Sequence, residues 1–96
     1  MRQRLGCDLT LWAPHSRVRS MPVGNRLRVQ SPVDAVIRWA VNDADAGEVS
    51  CRDSSLGAWF GDLDTERVAI GSRIQFAIVP RGQAGWSEIQ VVEVVA

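Results

Sequence analysis

Side chains able to do chemistry are few and scattered in this chain of 96 residues. His15 is the single histidine, with Ser16 beside it. A nucleophilic triad needs a serine held against a histidine that a carboxylate orients, and no Gly-x-Ser-x-Gly elbow occurs. The plainer reading is a polar turn after Pro14. Asp62, Asp64 and Glu66 are the candidates for paired-carboxylate hydrolysis of a glycosidic bond, which needs two carboxyls roughly 5–10 Å apart across a cleft. They fall in a stretch that reads as a connection, so solvated acids are expected. The run Asp43-Ala44-Asp45-Ala46-Gly47 resembles the start of a calcium loop, but Gly47 stands where a third oxygen ligand belongs and Ser54 where the bidentate glutamate belongs. Cys7 and Cys51 give no zinc spacing with one histidine, and they pair only if their segments meet. Free thiols in a reducing compartment are the expectation. The chain has no lysine, hence no phosphate loop, and no Gly-x-Gly-x-x-Gly. No metal or cofactor is expected, and the chain alone is read as lacking a catalytic constellation.

Two tryptophans carry the remaining signal. Trp59 lies between Gly57 and Gly61, and alternation sets it opposite a row formed by Leu56, Ala58 and Phe60. Trp86 follows a glycine-bearing loop, Arg81–Gly85. Exposed flat rings on a sandwich can stack on sugars, and neighbouring glycines leave room for a ligand. Equally, such rings cover a sandwich edge or dock on a neighbouring domain. Trp59 and Trp86 are therefore candidates for carbohydrate or docking contact.

The elements that must position them read as strands. In 34–42 (DAVIRWAVN) the residues Ala35, Ile37, Trp39 and Val41 recur every second position, the period of a strand with one face on a core. Trp39, the largest of them, is expected at the centre of that core. Further alternating segments are 8–13, with Leu9 and Leu11 inward, 17–21 around Val18, 26–30 with Leu27 and Val29 inward, a weak strand over 47–51, 56–60, 73–80 with Ile74, Phe76 and Ile78 inward, and 86–95. The last changes parity, which predicts a bulge near Val91-Val92. Leu63, Val68 and Ile70 are expected to plug the connection before 73. Paired opposition of Arg17/Arg19 with Arg26/Arg28 is unfavourable, so an acid or another strand should separate them. No helical stripe exceeds two turns. Residues 1–7 read as a flexible leader and 8–96 as a single domain: an all-β, antiparallel immunoglobulin-like sandwich of the early-set type with seven to eight strands. The cysteine pair and tyrosine corner usual to immunoglobulin folds are missing, since the chain has no tyrosine.

Composition narrows the partners. Hydrophobic content of 46% with no low-complexity run argues for a folded domain. No apolar run reaches the ~18 residues of a membrane span, and no apolar run follows Arg2 and Arg4 to make a signal peptide, so a cytoplasmic location is expected. Net charge is zero, yet six of eleven arginines lie in the first 28 residues beside Asp8, and residues 29–96 hold the other five with ten acids. That imbalance is read as two oppositely charged edges of one domain rather than a nucleic-acid groove.

The order LWAPHSRVRSMPVGNRLRVQSP, VIRWAVN, SLGAWFGDL, RIQFAIVP and a late Trp86 resembles the C-terminal β-sandwich of bacterial glucoamylase-like enzymes of glycoside hydrolase family fifteen, over about residues 9–95. Asp43-Ala44 and Ser87 stand where that pattern has a second aromatic and a glycine. The resemblance implies a non-catalytic accessory module, since that family's catalysis belongs to a separate helical barrel. Its partner would be the catalytic domain of a parent enzyme or another protein, with α-glucan as a further ligand and neither nucleic acid nor membrane. The alternative is a free-standing immunoglobulin-like interaction domain.

Overall fold

The computed structural model describes residues 9–82 and 88–96, in which nine strands build two facing sheets. The strands are β1 (Leu9–Trp12), β2 (Ser20–Pro22), β3 (Arg26–Ser31), β4 (Ala35–Val41), β5 (Ala44–Ser50), β6 (Arg52–Asp53), β7 (Trp59–Leu63), β8 (Arg73–Pro80) and β9 (Gln90–Val95). One sheet has the order β1-β3-β7-β6, the other β2-β9-β8-β4-β5. This is the all-β sandwich that the alternation implies, in an immunoglobulin-like order, and no helix occurs among the described residues. The proposed leader, residues 1–7, lies outside them.

The sheets are mixed rather than purely antiparallel. β1 pairs parallel with β3 and β2 parallel with β9. A tight turn at Pro14-His15, closed by paired backbone hydrogen bonds between Ala13 and Ser16, separates β1 from β2. It reverses the chain between two short strands that then join opposite sheets. Alternation has the same period whichever way the neighbour runs, so direction is invisible in it.

Side chains from both inner faces fill the core. Leu27 and Val29 of β3 and Leu63 of β7 meet Ile37, Ile74, Phe76, Val92 and Val94. The expected inward rows of β3 and β8 are present, with Ile78 partly buried at the margin. β1 departs from expectation: Leu9 and Leu11 are exposed and Trp12 is buried. The indole meets Phe76 edge to face, with centroids 4.9 Å apart, a contact a leucine could not make. Trp39 packs at the margin of the core rather than its centre. The bulge expected at Val91-Val92 is absent, since β8 and β9 pair without interruption; a register shift lies instead between β4 and β5, at Trp39 and Ala40. With no bulge in it, β9 turns Val92 and Val94 inward and leaves Val91 exposed, as is Ile89 just before it.

β7 is the larger revision. Trp59, Gly61 and Leu63 point inward, opposite Ser31, Val29 and Leu27, and Phe60 and Asp62 point out. Gly61 explains the inversion. A Cβ built on it would lie 2.9 Å from Ile37 Cγ1 and 3.4 Å from Cys51 Sγ. The missing side chain is thus the space in which the opposite sheet's Ile37 packs, and glycine is silent in a hydrophobic pattern.

The connection from β7 to β8 is fastened by Thr65, fully buried. Its Oγ1 accepts from the Leu27 N–H at 3.0 Å and donates to the Asn25 carbonyl at 2.9 Å. Val68 packs on the core, but Ile70 is exposed and plugs nothing. Between β4 and β5, Asn42 and Asp43 both take positive φ (51° and 69°), the two-residue turn whose twist suits a hairpin.

Gly61→Ala should lower stability by about 1–3 kcal/mol, the range for overpacking a filled core, with urea unfolding as the measurement. An unchanged midpoint would show that Ile37 does not occupy this space in solution.

Candidate functional site

The residues picked out for chemistry are held apart by the fold. His15 and Ser16 lie in the exposed Ala13–Ser16 turn, with the Ser16 backbone rather than its hydroxyl engaged. Asp43 and Asp45 belong to the β4–β5 hairpin: the Asp43 N–H donates to Gln75 Oε1, and Asp45 Oδ1 accepts from the Gly47 N–H. Among the described residues no three His, Cys, Asp or Glu side chains converge to hold a metal.

Asp62 sits in β7, not in a connection, and faces out beside Arg28 of β3. Arg28 Nε and Nη2 donate to its two carboxylate oxygens at 2.7 and 3.0 Å, a bidentate pair. Arg26 Nε donates to Glu66 at 2.9 Å. The arginines of β3 thus face acids of the 62–66 stretch, while β2 with its preceding Arg17 and Arg19 belongs to the other sheet. The two arginine pairs therefore lie on different sheets and do not stand opposite each other. The Arg28 guanidinium lies 5.6 Å over the Phe60 ring, and its hydrogen bond holds the Asp62 carboxyl below the usual carboxylate range. This is a paired structural face, with the carboxylate already engaged.

Trp59 is half-buried and packed on the core, between Ser31 and Asp53 of neighbouring strands. Its ring is packed in part against the core. Trp86 lies outside the described residues, as does Cys7. Cys51 carries a free thiol, buried against Gly61. Burial foremost, with the negative charge of Asp34, pushes it up to about 11.

What the sequence pattern concealed is the outer face of the five-stranded sheet. Strand register brings Val36 beside Val79, Arg38 beside Ala77, Ala40 beside Gln75, and Gln75 beside Val91. The small Ala40 and Ala77 leave a hollow of about 340 Å³, bordered by Arg38, Asp43, Asp45 and Ile89. Ile89 is 61% and Val91 44% exposed. These residues were legible only as the outward half of alternating runs.

Comparison of the chain with protein-family models, curated proteins and solved structures finds no match.

Two outcomes follow. Asp62 has a lower pKa folded than unfolded, so its pairing stabilises the fold in full above about pH 5 and is lost as the pH falls through the usual carboxylate range to the depressed value. Asp62→Asn should therefore be less stable at neutral pH and lose less stability on acidification than the native chain, by chemical denaturation across pH 2–7. Peptide-resolved alkylation at pH 8 should modify Cys51 about a hundredfold more slowly in the native protein than in urea, since two pKa units cost that much thiolate; equal rates would place the thiol outside the core.

Proposed function

We propose that this chain is a non-catalytic docking module that binds a protein surface through the outer face of its five-stranded sheet. This is the role that the glucoamylase-like resemblance implies for an accessory sandwich, and it serves a free-standing interaction domain equally. The observation that carries it is the apolar surface made by the exposed Ile89 and Val91 with the partly buried Val36, Ala40 and Val79, spread over three strands around Arg38 and Gln75. An exposed strip rimmed by charges is the usual form of a protein contact. Recognition of α-glucan through Trp59 has less support, because the ring faces the core.

Radical footprinting of the chain in its native cells, compared with the purified chain at high dilution, tests this. Val36, Ile89 and Val91 should be protected in cells and labelled when dilute, and maltoheptaose should protect nothing and leave the Trp59 fluorescence unchanged. Equal labelling of the strip in both settings would remove the docking reading. Saturable quenching of Trp59 by maltoheptaose would replace it with sugar recognition.

A further inference from the structure

The outer face of the five-stranded sheet has a hollow and a ridge at the same level along the strands. The hollow is at Ala40 and Ala77, on β4 and β8. The ridge is Ile89 and Val91, on the β9 side. In register, one level across the sheet reads Asp45, Ala40, Gln75, Val91, so Ala40 and Val91 flank β8. Rotation by 180° about an axis running along β8 keeps each level and exchanges β4 with β9 and β5 with β2. A second copy placed face to face by that rotation sets its Val91 over Ala40, and receives the same contact in return. An isologous interface has this reciprocity.

The charges follow the same operation. Asp45, exposed on edge strand β5, takes part in no ion pair among the described residues. On the opposite edge Arg17 and Arg19, both exposed, precede β2 at the level just below Ser20 and Glu93, and neither joins an ion pair among the described residues. The rotation brings β5 of one copy over this edge of the other. Ile89, one residue before the register pair Gln90–Phe76, comes over Arg38, which pairs with Glu48 at 3.6 Å. Arg73 lies near the axis but keeps Glu93 across from it in the sheet and Asp43 at 3.7 Å.

We infer that the partner covering this face is a second copy of the same chain, in a twofold face-to-face dimer with Val91 seated at Ala40 and Asp45 facing Arg19. This rests on the docking reading and names its occupant.

Sedimentation velocity of the purified full chain, from low micromolar to submillimolar concentration, tests it. The expected result is a monomer–dimer equilibrium that Val91→Lys weakens by at least about tenfold and that Asp45→Arg also weakens. Arg19→Glu added to Asp45→Arg should restore association. Circular dichroism melts confirm that these exposed substitutions leave the fold in place. A chain monomeric throughout overturns the proposal; if its outer face is still protected in cells, the docking reading survives with a different protein as occupant. A dimer indifferent to Val91→Lys, or one that the charge exchange does not restore, overturns it as well.

Discussion

Ile37 of β4 packs directly against Gly61 of β7, and the parity of β7 depends on that fit. A glycine in mid-strand ordinarily weakens a sheet, but here the absent side chain is the volume that Ile37 occupies, with Cys51 and Val49 beside it. Once Gly61 is inward, alternation forces Trp59 and Leu63 inward and Phe60 and Asp62 outward. That puts Asp62 beside Arg28 on the solvent face and packs part of the indole of Trp59 against the core. One steric fit thus decides the chemistry of both faces of β7.

Polar groups taken out of water are answered inside the same frame. Thr65 supplies the Leu27 amide with an acceptor and the Asn25 carbonyl with a donor. Ser31, also fully buried, closes a tight loop through both backbone groups of Val33. No buried side-chain nitrogen or oxygen among the described residues lacks a partner, which is what a well-specified small core requires. The chain has no tyrosine to fasten the β7–β8 corner; Thr65 does so with a shorter reach.

The two outer faces differ in kind. On the four-stranded sheet, the arginines of β3 are matched by Asp62 and Glu66. On the five-stranded sheet, small residues at the centre and large exposed ones at the side leave apolar area uncovered. On this sheet Arg17 and Arg19 lie beside β2 with Glu88 and Glu93 near them, and Asp45 and Glu48 lie on β5.

By itself, the sequence determined the all-β class, most of the strand positions and the inward rows of β3 and β8. Those rows are long and unbroken, with apolar and charged residues on opposite parities, and such a pattern buries only one way. Tertiary structure decided everything that rests on comparison between strands. Leu9 and Leu11 look like core residues beside Trp12 until a partner ring, Phe76, favours the indole. In β7 the glycines conceal the parity, because a residue with no side chain belongs to neither row until its neighbour across the sandwich is known. The parallel pairings of β1 and β2 depend on which strand lies beside each, which alternation does not encode. The outer strip of Val36, Ala40, Ala77 and Val91 is assembled from residues far apart in the chain, each unremarkable where it stands, and only strand register makes them one surface.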